Sequence, residues 1–249
     1  MQHRDYAILA FIAALTAGPV HAFKPSQAEM ATLPPYCAAR FEEGSPAFAT
    51  WRASMGGDFI HLHHYCAGLN FLNRSYGISS AKDRQGTLGG ALREFDYTLS
   101  HVQPGFSLRP EILLHRGITL SLLKRPGEAV ANLQQAIDMN PGMARAYQAL
   151  ADLHLKLKDR AKALEVVTAG LRHNPGTSSL QRRYTELGGK LPYPAPLAAA
   201  PSAAPAAEPA AAEAPAATEP PAAARAETEP SPQKIGVPGN PYCRFCPPE

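Results

Sequence analysis

The chain is predicted to be all-α: antiparallel helical hairpins stacked side by side into a solenoid, followed by a disordered tail rich in alanine and proline. Three observations carry this reading. Asn140-Pro141-Gly142 recurs as Asn174-Pro175-Gly176, 34 positions later. The apolar pattern ahead of each corner recurs at the same offset, with Leu113 mapping onto Tyr147, Gly117 onto Ala151, Ala129 onto Ala163, Leu133 onto Val167 and Ala136 onto Gly170. After Leu191 the composition changes to alanine, proline and glutamate, which cannot bury a core.

Each element follows from side-chain chemistry. Gly117 and Ala129, then Ala151 and Ala163, fall where two antiparallel helices cross, and small residues there permit close packing. Pro141 and Pro175 lack an amide donor and clash with the preceding turn, so each ends one helix-turn-helix unit. The two clear copies are 110–143 and 144–177. A stack of hairpins needs about three units, so partial copies are expected on both sides. Downstream, 177–188 opens with Thr and Ser suited to an N-cap and carries Leu180, Tyr184 and Leu187 at helical spacing, the pattern of a capping helix. Upstream, 59–74 has a first-helix pattern with Gly68 at the crossing position, and Ala91, Leu92, Phe95 and Leu99 supply a second helix ending near Pro104. The stretch 75–90 between them is read as an inserted loop. Ahead of it, 23–58 is an N-terminal helical segment with a short helix over 34–42.

This register resembles the tetratricopeptide repeat over 59–189. Two positions depart from the family pattern: Arg116 stands where leucine is preferred, and the usual tyrosine is replaced by Leu120 in one copy and His154 in the other. The resemblance implies an adaptor that holds a protein or peptide in the concave groove lined by the first helix of each repeat. Carried over residue by residue, that groove holds Leu62, Tyr65 and Leu69, then Leu114, Ile118 and Ser121, then Arg145, Gln148, Asp152 and Leu155, with Arg182 on the cap. Leu114 and Ile118 stand where chaperone-binding relatives use a lysine and asparagine clamp, so an extended or helical peptide with apolar anchors is expected. The competing reading is that the N-terminal helices fold into the groove and cover those leucines.

The ends of the chain set the compartment. Residues 1–22 read as a signal peptide: basic His3-Arg4, an apolar run over 6–15, and a small-residue cleavage site ending at Ala22. The apolar run is shorter than the roughly 20 residues needed to span a bilayer, and nothing before Cys37 looks like a lipobox. An exported, periplasmic protein without a stable membrane span is expected. A net charge of +3 on 249 residues is too small to imply nucleic acid. The sequence leaves oligomeric state open.

Four cysteines, Cys37, Cys66, Cys243 and Cys246, favour disulfides in an exported protein. Three connectivities exist; the economical one joins Cys37 to Cys66 and Cys243 to Cys246. Tyr36, Ala39 and Phe41 would pack the 34–42 helix on the helix carrying Cys66. His61, His63 and His64 with Cys66 suggest an alternative, a metal-binding or thiol-handling factor. Helical geometry argues against one ion, because His61 and His64 share one face and His63 and Cys66 another. Cys243-Arg244-Phe245-Cys246 has no following histidine for haem attachment, and Pro241, Pro247 and Pro248 exclude the helix of a redox pair. It is either a docking element, since Tyr242, Arg244 and Phe245 are hot-spot residue types, or an inert terminus. No nucleophile elbow, phosphate loop or zinc-protease motif is present, and Glu128, Asp138, Asp152 and Glu165 sit on solvated faces. No catalytic residue and no cofactor is expected.

Overall fold

A computed structural model describes residues 24–197. Along the chain these form α1 (Gln27–Met30), α2 (Pro35–Arg40), α3 (Pro46–Met55), a 3-10 segment (Gly56–His61), α4 (Leu62–Gly77), α5 (Ala81–His101), α6 (Arg109–Leu122), α7 (Pro126–Met139), α8 (Ala144–Lys156), α9 (Arg160–His173) and α10 (Ser178–Glu186). No strand occurs among the described residues. Helices α4 and α5, α6 and α7, and α8 and α9 form three hairpins. Neighbouring hairpins meet through α5 with α6 and α7 with α8, and α10 closes the stack on α9. The first helices of the hairpins also touch in series, α4 with α6 and α6 with α8. This is an all-α helical solenoid of the tetratricopeptide type.

The register works through the small residues. A Cβ built on Gly117 would lie 2.8 Å from Leu133 Cγ, and one on Gly170 would lie 2.9 Å from Tyr147 Cβ. Ala129, Ala136, Ala151 and Ala163 are fully buried beside Leu133 and Val167. Both Asn-Pro-Gly corners lie between helices, and the second reaches back to the first: Asn174 Nδ2 donates to the Pro141 carbonyl at 3.2 Å. A second repeated feature was not legible beforehand. Lys124 and Lys158, 34 positions apart, both take left-handed backbone, at φ 59 and 62. Each follows a first helix, and the next amide closes the turn, Arg125 N onto the Leu120 carbonyl and Asp159 N onto the His154 carbonyl, both at 2.9 Å. That pattern is a helix C-cap usually occupied by glycine.

The family departure at Arg116 also has a local cause. Its guanidinium donates to Asp96 at 2.6 Å and to Asn132 Oδ1 at 3.0 Å, tying α6 to α5 and α7 where a leucine would only pack.

The stretch 75–90 corrects the sequence reading. It is not a loop: α4 runs to Gly77, and α5 begins at Ala81. The Ser80 hydroxyl caps α5 by accepting from Asp83 N, and the Arg84 side chain donates to the Ile78 and Ser79 carbonyls. Residues 81–86 are exposed on every face, so this overhang carries no apolar period to announce it. Burial starts at Leu88.

Two cores result. One holds the clear repeats and cap from Leu113 to Leu187. The other gathers Leu33, Tyr36 and Cys37 with Phe59, Leu62, Tyr65, Phe95 and Ile112, and Leu99, Ile118 and Leu123 bridge the two. The N-terminal segment is therefore part of the domain. Past the cap, 190–197 folds back: Tyr193 packs edge-on against Tyr184 at 5.9 Å, and Leu197 N donates to the Arg172 carbonyl at 2.8 Å. The segment expected to be a signal peptide, the tail beyond 197 and Cys243 and Cys246 lie outside the described residues.

Gly117→Ala should destabilise the domain by about 1–2 kcal/mol, because overpacking against Leu133 outweighs the helix-propensity gain. Lys158→Gly should raise stability by up to about 1 kcal/mol by relieving the left-handed backbone. Denaturant midpoints of the two variants check both signs.

Candidate functional site

The face expected to form the groove is built by α4, α6 and α8, which touch in series, with α2 packed against α4 at one end. Pro35 starts α2 at a position where a missing amide is harmless, and the helix turns Tyr36, Cys37 and Ala39 inward. The Tyr36 ring stacks on Tyr65 of α4 at 6.5 Å and meets Trp51 of α3 edge-on at 5.7 Å. Cys37 and Cys66 lie together, with Cα atoms 5.7 Å apart and sulfurs at bonding distance, and both are fully buried. On the outer side, the Arg40 guanidinium donates to the Ile60 carbonyl at 3.1 and 2.9 Å. A six-residue helix is too short to hold its place by itself, so these contacts position it.

Behind Tyr65 lies a polar group the sequence did not disclose. The Tyr65 hydroxyl is 2.9 Å from His115 Nδ1, which also donates to the Glu111 carbonyl at 2.8 Å. Burial drives the His115 pKa down to about 3, and the nearby Arg145 charge lowers it further. Burial also raises the Glu111 carboxyl, against the opposing pull of Arg145. His115 is thus neutral in the folded protein. Its partner, Tyr65, is 50 positions away in sequence, a link no local pattern reveals.

Ten of the eleven groove residues predicted from the register separate into two groups, and Arg182 stands apart on the cap. Leu62, Tyr65, Leu69 and Leu114 are buried in the protein's own core; α2 and the packing of α4 on α6 enclose them, which corrects the expectation that they line an open face. Ile118, Ser121, Gln148, Asp152 and Leu155 are half-buried, and Arg145 is exposed. These six lie together on α6 and α8. Lys156 Nζ donates to Ser121 Oγ at 3.3 Å. Gln148 bonds Ser179, and Arg183 pairs with Asp152 at 2.6 Å. Asp152 is thus more than a solvated helix charge: burial raises its carboxyl pKa, while Arg183 and Lys156 pull it down. On the cap, Ser179 and Arg183 face α8, whereas Arg182 points toward Glu186 at 3.7 Å and is exposed. The register was one residue off there.

The histidines form a row of adjoining, mostly tilted rings with Tyr97. His63, His64, Tyr97 and His101 follow one another at centroid spacings of 4.2, 3.7 and 3.8 Å, and His61 lies 5.2 Å from His101. Their nitrogens are engaged in the fold: His63 Nδ1 donates to the Ile60 carbonyl at 2.8 Å, His101 Nδ1 to the Tyr97 carbonyl at 2.7 Å, and His64 Nδ1 lies 2.6 Å from a Glu94 oxygen. Desolvation lowers the pKa of His61 and His63. Among the described residues no group of three or more His, Cys, Asp or Glu could hold a metal ion. No described helix is long and apolar enough to cross a membrane.

The buried histidine makes stability pH-dependent. Its folded pKa lies below the unfolded value of about 6.5, so the unfolded chain takes the proton first and stability falls as pH drops from about 6.5 toward about 3. Glu111 acts in the opposite sense, since acid neutralises a buried carboxylate. The His115 effect should reach about 3 kcal/mol at roughly pH 4.5, and His115→Asn should flatten the dependence of the unfolding midpoint between about pH 6.5 and 4.5.

Residues 122–184 match the family model described as the tetratricopeptide repeat. The match runs from the end of α6 into α10 and takes in both Asn-Pro-Gly corners, both left-handed turns and the Gly170 crossing. No curated protein matches the chain. Register, hairpin packing and family match together support a tetratricopeptide repeat protein, a class whose members typically act as protein-binding scaffolds without catalysis.

Proposed function

We propose that this protein is an exported adaptor that holds a peptide or protein segment in the open half of its groove and serves envelope assembly or secretion. One observation carries the reading. α2 packs on α4 at the head of this face, whereas farther along Arg145 is exposed and Ile118, Ser121, Gln148, Asp152 and Leu155 are only half-buried, with α10 reaching Gln148 and Asp152 from one side. Two apolar side chains flank a polar centre there, with Asp152 and Arg183 already paired. An extended segment placing apolar anchors against Ile118 and Leu155, and main-chain groups against Gln148, fits that pattern. Arg182 belongs to the outer rim of this surface at most.

The exported location rests on the signal sequence and on the cysteines. The Cα separation of Cys37 and Cys66 suits a disulfide, and in an oxidising compartment we assign them one. The bridge would close a 29-residue separation and pin α2. Replacing both cysteines by alanine should cost about 2–4 kcal/mol and release α2, raising the hydrogen-exchange rate of 35–41 before that of α6 to α9. Unchanged exchange would remove the staple role.

The groove itself is tested by photocrosslinking in cells. A photoreactive side chain at Ile118 or Leu155 should give one discrete adduct that Asp152→Arg abolishes, while the same group at exposed Glu165, on a second helix, gives none. Equal labelling from all three positions would remove the groove reading.

A further inference from the structure

The opposite face of the repeats carries a second feature. At about 100° per residue, Tyr147 and Leu150 leave α8 on the side away from Gln148 and Asp152. Together with Gln134 and Asp138 of α7 and Val166 and His173 of α9 they line a cleft of about 430 Å³. Its floor is apolar, with Tyr147 and Leu150 almost fully buried. One wall is aromatic, His173 lying over Tyr147 at 6.1 Å. Its rim is acidic at exposed Asp138, which accepts from Gln134 Nε2 at 2.9 Å.

The chain leaves the described structure beside this cleft. Leu197 is held on the Arg172 carbonyl, the residue next to His173. Of the 52 residues that follow, only Tyr242 and Phe245 are aromatic, and they flank Arg244. Ahead of them runs alanine, proline and glutamate. The sole bulky apolar residues of the tail, with Ile235 and Val237, are thus gathered at its far end, along with Lys234 and Arg244. About 45 residues separate Leu197 from Tyr242, giving a mean reach of roughly 40 Å for a flexible chain, and more for a proline-stiffened one. A tether of that length returns its end to a cleft near its origin at an effective concentration on the order of millimolar.

We propose that the C-terminal segment 242–246 docks in cis into the cleft between α7, α8 and α9. Phe245 and Tyr242 supply the rings for the apolar floor and the His173 wall, and Arg244 meets Asp138. Docking closes the tail into a loop on the face opposite the groove and leaves the groove free.

The test is the rate at which diethyl pyrocarbonate acylates His173 in the mature full-length protein. His154, half-buried on α8 outside the cleft, is the internal reference. Tyr242→Ala/Phe245→Ala and Arg244→Glu alter the tail alone and leave the folded domain intact. At millimolar effective concentration against a weak contact, His173 should react roughly threefold to tenfold faster in both variants than in the wild type, with His154 unchanged and the ratio constant over a hundredfold range of protein concentration. Equal His173 rates in all three proteins would overturn the proposal. Protection that grows with protein concentration would overturn it too, by placing the tail in the cleft of a second copy.

Discussion

The structure depends on how closely two helices can approach within each hairpin. At Gly117 and Gly170 there is no room for a methyl group: Leu133 and Tyr147 occupy the space a Cβ would need. Gly68 does the same for the first hairpin, where the Phe95 ring occupies the space a Cβ would need. Close crossing allows the larger residues around it to interlock, and interlocking sets the angle at which the next hairpin is presented. The Asn-Pro-Gly corners then repeat the step, because Asn174 binds the Pro141 carbonyl and fixes one corner on the other. A continuous face of first helices follows from repetition of the step.

What that face offers is decided at its head. Tyr36 and Cys37, carried on a helix too short to be stable alone, find their place on Tyr65 and Cys66. The result is a groove whose apolar end is satisfied internally and whose polar end remains open. Tyr65, His115 and Glu111 link the two ends, since α2 covers Tyr65, which contacts His115, which contacts the backbone of Glu111 beside the open half. Charge and burial oppose each other at this junction: Arg145 favours the Glu111 carboxylate that burial disfavours.

Much of this was legible in the sequence, because a repeat writes the same contact twice. Leu113 and Tyr147, Leu133 and Val167, and the two corners could be placed by offset alone, and each is found where the offset put it. The short helix at 34–42 and its approach to Cys66 were legible too, from cysteine arithmetic and apolar spacing. The misses have physical causes. The first turns of α5 carry no apolar face, so a capped polar overhang looked like a loop. The burial of Leu62, Tyr65 and Leu69 in one core with α2, and of Leu114 in the core of the clear repeats, depends on tertiary neighbours that periodicity within one helix cannot see. Nothing in the local pattern singles out His115, because its partner Tyr65 lies in a different hairpin. Arg182 and Arg183 differ by one position, within the error of a register carried across a corner into a cap.

Proton contacts in solution test the stacking step directly. Nuclear Overhauser effects should connect the Gly117 α-protons to the Leu133 methyls, and the Gly170 α-protons to the Tyr147 ring, in the same spectra that connect the Tyr36 and Tyr65 rings. Intact helical shifts over α6 to α9 without the two glycine contacts would contradict the account, since the helices would then form without the close crossings on which the groove depends.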